Sequence, residues 1–324
     1  MHNPYLSIVM PCFDEGHYLI EAVKSVLGQE AVLADSLPTF EILVINDNTT
    51  DEATLAALEQ LNQLDSRIRI LLNGGKRGPG GARNTGIMSA RGKWIAFLDA
   101  DDRWLKNAID VRWAVLRDYP EAAWISADFQ YFHESGKKRQ EHIEGSFFRS
   151  RPKPSLMLAE AFAHGRVLRL EKPVAQFLES SLAWTGTVMA KRSLLIRLGS
   201  FNESLIRAQD THLWLKLANE TDFFFVPEIV AEYRQRETTR TNRGHPPGKW
   251  EIVALKQLLA EPVFLKHYSI IKQRVARRLE EDLNFYRACG ERSKGLALFS
   301  ETLRHAPFRW AVWKTGIALM IGRR

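Results

Sequence analysis

Short apolar runs alternate with segments of helical periodicity along the first hundred residues. The runs have the length and the β-branched and aromatic content of buried strands, and they occupy residues 6–10, 40–45, 68–72 and 94–98. Between them, apolar residues recur every three or four positions over 15–28 and again after Thr50, which predicts helices. Strands and helices that alternate at this spacing predict an α/β fold, with a mainly parallel sheet between layers of helices.

The pattern beyond residue 104 is less regular and ends in helices. The predicted elements are a helix over 104–119, some helix near 156–163, and strands over 122–132, 182–190, 223–226 and 229–233. Pro227 divides the last two strands, since proline cannot donate to a strand ladder. From residue 249 onward the spacing is helical throughout. The chain is therefore predicted to contain an α/β domain over 1–248 and a helical region over 249–324.

The composition is that of an ordinary folded protein. It is 45% hydrophobic and 26% charged, and 324 residues suffice for one large domain with an appendage or for two domains. Cys12 and Cys289 are too few and too far apart for a disulfide framework, which indicates a reducing compartment. The N-terminal residues lack the features of a signal peptide, and no stretch has the length of a membrane span. We therefore expect a cytoplasmic protein.

The net charge of +7 is unevenly distributed. Residues 1–250 contain 31 Lys and Arg against 31 Asp and Glu, whereas residues 251–324 contain 14 against 7. The whole surplus thus lies in the last quarter of the chain. This distribution predicts contact with an anionic surface near the C-terminus, and it argues against a protein that binds nucleic acid.

The last predicted helix, over 308–321, allows two interpretations. It carries large apolar side chains at helical spacing and is flanked by basic residues; these apolar residues are Trp310, Trp313, Ile317 and Met320. Such a helix can lie in a membrane interface, on the inner face of the membrane for a cytoplasmic protein. Alternatively, it packs on the preceding helices as part of a core.

Three carboxylates follow the fourth predicted strand directly, at Asp99, Asp101 and Asp102. They repel one another and are costly to desolvate unless a positive charge lies among them. In open α/β sheets, ligands bind beyond the carboxyl ends of the strands, which is where these residues lie. Oxygen ligands favour Mg²⁺ or Mn²⁺, and the cation would in turn hold a phosphate. The alternative is a solvated acidic turn that caps the next helix.

The order of the motifs resembles the family 2 glycosyltransferases, which are inverting enzymes with the GT-A fold. The resemblance covers about residues 5–235 and is carried by SIVMPCFDE (7–15), EILVINDNTTD (41–51), RG (77–78) with GARNTG (81–86), WIAFLDADD (94–102), and LGSFNE (198–203) followed by QD (209–210) and LWL (213–215). It implies a Rossmann-like, mainly parallel sheet flanked by helices, with a C-terminal helical extension. It also implies a nucleotide-binding half over about 1–130 and an acceptor half over about 131–248.

The resemblance implies a nucleotide-sugar donor, with UDP or dTDP as the nucleotide. Asp47 would accept a hydrogen bond from the base, and Pro11 and Phe13 would line the base pocket. Arg83 projects from a glycine-rich turn whose backbone N–H groups can bind phosphate. The alternatives are an Asx turn at Asp47 and a solvated surface arginine at Arg83.

The acidic cluster corresponds to the family's DxD motif. Asp101 is the candidate for direct coordination of Mn²⁺ or Mg²⁺, and Asp99 for the ribose hydroxyl, the metal or a metal-bound water. The cation would neutralise charge on the departing diphosphate. Arg236 occupies a position where relatives often have His and is a candidate diphosphate ligand. His245 is a further candidate metal ligand.

Asp210 corresponds to the family's general base, which takes the proton from the acceptor hydroxyl during an inverting displacement. The preceding Gln209 departs from the family, which has Glu there. An N-cap for the following helix is an alternative role for Asp210 and is compatible with the first. Residues 184–186 correspond to acceptor-facing positions, and they are Trp184, Thr185 and Gly186. Trp184 would stack on a sugar ring, or it is a buried core residue.

These features predict a metal-dependent, inverting hexosyltransferase that adds one sugar to a saccharide or lipid-linked saccharide acceptor in cell-surface polysaccharide biosynthesis. The Gln-x-x-Arg-Trp signature of processive synthases is absent from the sequence. One alternative is a nucleotidyltransferase that makes nucleotide-sugars. Another is a non-catalytic protein that binds nucleotides or carbohydrates.

Overall fold

The structure of the chain, a computed structural model, describes residues 3–33, 36–134, 141–144, 158–162, 165–235, 245–305 and 307–321. The chain divides into two units. The first comprises Met1–Pro173, Ser181–Glu203 and Lys216–Thr238, and the second comprises Val174–Ser180, Ser204–Leu215 and Thr239–Arg324.

Four parallel strands form one half of the sheet in the first unit. They are β1 (Leu6–Cys12), β2 (Phe40–Asn46), β3 (Ile68–Leu72) and β4 (Trp94–Phe97), in the order β3-β2-β1-β4. Their apolar runs are nearly continuous because β1, β2 and β4 are buried along almost their whole length. The four predicted strands are confirmed.

Three helices connect these strands: α1 (His17–Leu27), α2 (Glu52–Asn62) and α3 (Pro79–Ser89). Helix α3 lies directly against β1, since a Cβ added at Gly86 would stand 2.3 Å from Cγ1 of Val9. The helix is preceded by Gly78 at φ 124°, a conformation that favours glycine. The sequence of the glycine-rich turn thus fixes where the N-terminus of α3 lies beside the sheet.

The other half of the sheet is mixed. Its elements are β5 (Arg103–Trp104), α4 (Ala108–Asp118), β6 (Trp124–Glu134), β7 (Glu141–Glu144), β8 (Leu158–Phe162), β9 (Gly165–Leu170), β10 (Met189–Lys191), α6 (Arg192–Arg197) and β11 (Phe223–Gln235). The antiparallel strand β10 joins β4 to β6, and the order continues β6-β11-β9-β8. Strand β5 pairs with β11, and β7 pairs with β6. The predicted α/β class is therefore confirmed, with a sheet that is mixed overall and parallel in its first half.

Three local predictions were wrong. Leu158–Phe162 is a strand because it pairs antiparallel with β9, and this pairing overrides the local periodicity. Most of 182–190 is not a strand but a loop with one 3₁₀ turn at Thr185–Thr187. Residues 223–235 form one strand instead of two, since register shifts after Val226 leave Pro227 outside the ladder.

Helices make up the second unit. They are α5 (Val174–Glu179), the start of α7 (Gln209–Glu220), α8 (Lys249–Leu259), α9 (Tyr268–Ala288), α10 (Arg292–His305) and α11 (Trp310–Met320). Helix α9 buries a stripe at helical spacing, and α10 and α11 pack closely: a Cβ added at Gly316 would lie 2.2 Å from the ring of Phe299. Among the described residues, no helix combines the length and the apolar character needed to cross a membrane.

Asp282 makes the second unit sensitive to pH. Its Oδ1 accepts a hydrogen bond of 2.6 Å from the backbone N–H of Gly248, just before α8. Burial raises the pKa of Asp282 to about 6, against the opposing effect of that hydrogen bond. Between about pH 4 and pH 6, Asp282 therefore keeps its proton in the folded protein and loses it in the unfolded chain. The free energy of unfolding accordingly decreases as the pH rises from about 4 through about 6.

We expect Asp282→Asn, which is neutral at every pH, to remove this dependence. The free energy of unfolding of the variant should equal that of the wild type near pH 4 and exceed it by on the order of 1–3 kcal/mol at pH 7. Denaturant melts across this pH range measure the difference. Glu291→Gln, at an exposed position of the same unit, is the control and should show no such trend. A difference for Asp282→Asn that does not vary with pH would contradict the assignment.

Candidate functional site

The candidate residues of the first unit lie at the carboxyl ends of adjacent parallel strands. Phe13 follows β1, Asp47 follows β2, and Asp99 to Asp102 follow β4. Since β1 lies between β2 and β4, these residues lie at the same end of the sheet, where the three parallel strands have their carboxyl ends.

Asp47 is buried and holds the glycine-rich turn. Its Oδ1 accepts from Nδ2 of Asn73 at 2.6 Å, and its Oδ2 accepts from the N–H of Gly78 at 2.8 Å. Asn73 in turn accepts from the hydroxyl of Thr85 at 2.8 Å. A carboxylate has further lone pairs, so a bond from a nucleotide base stays a prediction. Asn73 was missed from the sequence, and its position directly after β3 is the signal that could have identified it.

The two candidates for the base pocket are half-buried. Pro11 lies within β1, and its backbone is paired with Ile45 of β2. The guanidinium carbon of Arg77 lies 4.7 Å from the ring centroid of Phe13. Phe13 is thus covered by a basic residue of the glycine-rich turn, which brings an aromatic face and a positive charge together near Asp47.

Arg83 is a buried arginine paired with Asp99. The Nη2–Oδ1 distance is 2.5 Å, and the side chains are 6% and 30% exposed. The guanidinium also lies 5.4 Å from the ring centroid of Phe201. The alternative of a solvated surface arginine was therefore wrong, because the chain buries this charge against a carboxylate of the acidic cluster.

Asp102 is a buried carboxyl group with one oxygen left without a hydrogen bond. Its Oδ1 accepts from the backbone N–H of Arg234 at 2.8 Å, while its buried Oδ2 has no hydrogen-bond partner among the described residues. Burial raises the pKa of Asp102 well above its usual range, and the carboxylates of Asp101 and Asp99 raise it further. A cation beside the cluster would relieve both effects.

The protein side chains of the acidic cluster can coordinate a hard divalent cation, but a bound ligand would have to supply further oxygen atoms. The acidic cluster offers carboxylate oxygens, which Mg²⁺ and Mn²⁺ prefer. Within the described ranges, however, no three His, Cys, Asp or Glu side chains are grouped so as to hold a metal ion by themselves. The remaining ligands would be diphosphate oxygens and water, as is usual for Mg²⁺.

The three acceptor-facing candidates differ in exposure. Thr185 and Gly186 are buried, and the carbonyl of Gly186 accepts from Nε1 of Trp104 at 2.7 Å. Trp184 is half-buried, with its ring centroid 4.4 Å from that of Phe129 and 5.4 Å from that of Tyr233. Trp184 is therefore part of an aromatic cluster, and it keeps a partly exposed surface.

Asp210 and His245 belong to the second unit. Asp210 lies in the first turn of α7 rather than at its cap, and its Oδ1 accepts from the N–H of Thr211 at 2.7 Å. A carboxylate is favourable there because the helix N-terminus is electropositive. His245 is exposed and precedes α8. Arg236 lies outside the described residues.

Comparison with known protein sequences identifies relatives of the chain. The family model described as glycosyl transferase family 2 matches residues 7–185, which is more than half of the chain. An uncharacterized glycosyltransferase of Rickettsia felis is 27% identical over 252 residues, which cover 78% of this chain and 36% of that protein. The chain therefore spans little more than a third of that relative. The UDP-Glc:alpha-D-GlcNAc-diphosphoundecaprenol beta-1,3-glucosyltransferase WfgD of Escherichia coli is 36% identical over 112 residues, 35% of this chain and 41% of that protein.

Solved structures share the fold. TarS 1–349 of S. aureus in complex with UDP-GlcNAc has a TM-score of 0.65 at 16% identity, and the match covers 98% of this chain and 92% of that one. Mannosyltransferase PcManGT from Pyrobaculum calidifontis in complex with GDP-Man and Mn2+ has a TM-score of 0.56 at 17% identity, covering 99% and 86%. At these identities the likeness establishes the GT-A fold. Together with the matched family model, it leads to one assignment: the chain belongs to glycosyl transferase family 2 and is a glycosyltransferase.

Proposed function

We propose that the chain is an inverting, metal-dependent glycosyltransferase that transfers one sugar from a UDP- or dTDP-sugar to a saccharide or lipid-linked saccharide. The observation that carries this proposal is the acidic cluster at the end of β4, where the buried Oδ2 of Asp102 accepts no hydrogen bond from any described residue. The name of the E. coli relative supports the donor and acceptor classes, since it specifies UDP-Glc and a saccharide on a lipid diphosphate. Such acceptors support a role in cell-surface polysaccharide biosynthesis.

Asp101, together with Asp99, would hold Mn²⁺ or Mg²⁺, and His245 stays a candidate for a further ligand. When bound, the cation supplies charge neutralisation at the departing diphosphate. The solved structure of PcManGT with Mn2+ is consistent with this role. In the absence of donor, Arg83 already neutralises Asp99, so the arginine is positioned beside the place where a phosphate would arrive. Arg236 is proposed as a second diphosphate ligand.

The base of the donor would bind among Asp47, Pro11 and Phe13. Asp47 is a pure hydrogen-bond acceptor that is already oriented by Asn73 and Gly78, so it can receive a base N–H without reorganising. Phe13 offers an aromatic face on which the base can stack.

Asp210 is proposed to take the proton from the acceptor hydroxyl as its oxygen attacks the anomeric carbon. Attack from the face opposite the diphosphate inverts the configuration and gives a β-linkage from an α-linked donor. Trp184 would contact the acceptor sugar with its partly exposed ring, and Thr185 and Gly186 belong to the 3₁₀ turn that follows it.

The other two functions predict different products. A nucleotidyltransferase would release pyrophosphate, and a non-catalytic binding protein would leave the donor intact. Release of a nucleoside diphosphate separates both from the proposed transferase, and the family assignment supports the transferase.

Membrane contact through α11 belongs to the same proposal. One face of this helix packs as core through Val312 and Leu319, whereas the opposite face leaves large apolar side chains exposed. Phe308 is 98% exposed and Trp310 is 73% exposed, and the stripe continues through Trp313, Ile317, Met320 and Ile321. Residues 302–324 contain five Lys and Arg and no Asp or Glu. Arg309 among them pairs with Glu280 of α9, and an apolar aromatic face with an excess of basic residues beside it in the sequence suits the interface of an anionic membrane.

We expect Asp101→Asn to lower metal-dependent sugar transfer by about 100-fold or more, because it removes a charged ligand of the cation. Transfer is measured as nucleoside diphosphate release in a titration with Mn²⁺. Asp118→Asn, at the exposed end of α4, is the matched control and should retain activity. Unchanged activity of Asp101→Asn would remove Asp101 from the metal site.

We expect Asp210→Asn to bind donor with wild-type affinity in calorimetry and to lose turnover by about 10²–10⁴-fold, as is typical of a lost general base. Glu220→Gln, at the far end of the same helix, controls for helix stability. Turnover within a few-fold of wild type would show that Asp210 is not the base.

We expect the protein to co-sediment with anionic vesicles at low salt and to be released as the salt concentration rises. Replacing Phe308 and Trp310 by Ser should weaken binding at least tenfold, since each buried aromatic side chain contributes about 1.5–3 kcal/mol. Replacing Val263 and Leu265, which are also exposed apolar residues of the second unit, is the control and should leave binding unchanged. Failure of the wild type to sediment at low salt would exclude this membrane contact.

A further inference from the structure

Arg234 is a buried arginine near the end of β11 that contacts the acidic loop, residues 99–102, and has no role in the chemistry above. Its Nε donates to the backbone carbonyl of Asp101 at 2.7 Å. Its own backbone N–H donates to Oδ1 of Asp102 at 2.8 Å. One residue thus holds two consecutive positions of the loop, the first by a side-chain donor and the second by a main-chain donor.

The guanidinium of Arg234 is itself held rigidly. Its carbon lies 4.3 Å from the ring centroid of Tyr18 and 4.5 Å from that of Phe132, so the group is flanked by two aromatic rings. Its Nη2 donates to Oε2 of Glu21 at 2.7 Å. Between them, these contacts fix the plane and the direction of the guanidinium.

Glu21 links Arg234 to a second arginine, Arg103, which directly follows the acidic loop in the sequence. Oε1 of Glu21 accepts from Nη1 of Arg103 at 3.0 Å, and Arg103 also pairs with the buried Glu232. Burial alone would raise the pKa of Glu21, but the charges of Arg234 and Arg103 outweigh burial and lower it. Glu21 is therefore a stable anion that anchors both guanidinium groups.

The acidic loop needs such an anchor because its carboxylates repel one another. A loop held only by its flanking strand could relieve this repulsion by spreading, and the carboxylates would then have to be gathered again when a cation arrives. A preorganised geometry avoids that cost. The contact of Arg234 with the carbonyl of Asp101 fixes the peptide between Asp101 and Asp102, whose N–H donates to the carbonyl of Asp99 at 3.0 Å.

We propose that Arg234, anchored by Glu21, is a positioning residue that presets the acidic loop for the cation and the diphosphate. This inference rests on the proposed function for its consequence in catalysis. The geometry of the loop without ligand can be tested independently of that function. Arginine is required at this position because its planar guanidinium stacks between two rings and donates to the carbonyl of Asp101 and to Glu21 at the same time. Lysine has no planar group that could do both.

Arg234→Lys in the full-length protein tests the proposal, because it keeps the charge and the main-chain bond to Asp102 and removes the directed side-chain bonds. The first measurement is hydrogen exchange of the segment 98–105 without metal or nucleotide. We expect faster exchange in this segment and unchanged exchange in the other strands. The second measurement is the affinity for UDP with and without Mn²⁺. We expect the gain in affinity that Mn²⁺ provides to fall about tenfold or more, and metal-free binding of UDP to be unchanged.

Arg169→Lys is the matched control. Arg169 pairs with Asp222 and lies over the ring of Phe224, so it also combines an ion pair with an aromatic contact. Arg169 is paired with Phe224 of β11 in the sheet. Phe224 precedes Arg234 by ten residues along that strand, so Arg169 lies roughly 30 Å from Arg234. The control should alter neither the exchange of segment 98–105 nor the effect of Mn²⁺ on UDP binding. Glu21→Gln is expected to give a smaller effect of the same kind, since glutamine can still accept from Arg234.

Unchanged exchange of segment 98–105 in Arg234→Lys would overturn the proposal, as would faster exchange with an undiminished effect of Mn²⁺. An equal loss of UDP affinity with and without Mn²⁺, accompanied by faster exchange throughout the sheet, would overturn it as well and leave Arg234 as a general core residue. If Arg234→Lys does not fold, the same measurements on Glu21→Gln decide. If the wild type itself shows no effect of Mn²⁺, the proposed metal dependence fails, and hydrogen exchange still decides whether Arg234 holds the loop.

Discussion

The first unit depends on keeping like-charged carboxylates together at the end of β4. Asp99, Asp101 and Asp102 follow β4, a strand that is buried along its whole length, so their backbone begins at a fixed point of the sheet. Arg83 balances Asp99, and the main chain of Arg234 provides one hydrogen bond to Asp102. Oδ2 of Asp102 has no hydrogen-bond partner in the described part of the chain, and burial together with the neighbouring carboxylates raises the pKa of this side chain. The cation that we propose would stabilise the cluster.

The neighbouring strand ends are organised in a complementary way. Each carboxylate oxygen of Asp47 accepts one hydrogen bond from a neutral donor, Asn73 or the N–H of Gly78, so Asp47 orders the glycine-rich turn without a counter-charge and keeps lone pairs for a further donor. The close approach of Gly86 to Val9 then places the N-terminus of α3 at the same edge of the sheet. A helix N-terminus attracts anions, while the acidic cluster attracts cations. A diphosphate with a bound metal ion would satisfy both, in keeping with the nucleotide-sugar donor that we propose.

The fold was predictable from the sequence where local pattern and burial coincide. Strands buried on both faces read as continuous apolar runs, and β1, β2 and β4 were identified for that reason; β3, which is only partly buried, was identified from its short apolar run alone. Leu158–Phe162 was misassigned because its state depends on pairing with β9, which the local pattern does not encode. The site shows the same limit: Asp47, Arg83 and the acidic cluster were identified from the sequence, but which residues pair with which was not. Asp47 and Asn73 are 26 positions apart, and Arg234 and Asp102 are 132 apart. Only the tertiary structure brings such donors and acceptors together.

The second unit adds an argument about where the reaction would occur. One face of helix α11 packs as core, as one of the two interpretations predicted, while its exposed side carries an apolar stripe; the membrane-interface interpretation stays a proposal. A saccharide acceptor on a lipid diphosphate is confined to the membrane, so an enzyme that binds the same surface meets it at a much higher effective concentration. Weak interfacial binding is enough for this purpose, and it is what one short helix with basic flanks can provide. The surplus of positive charge at the C-terminus and the excess of carboxylates at β4 would then serve different anions: the first attracts lipid headgroups directly, and the second recruits a diphosphate only through a cation.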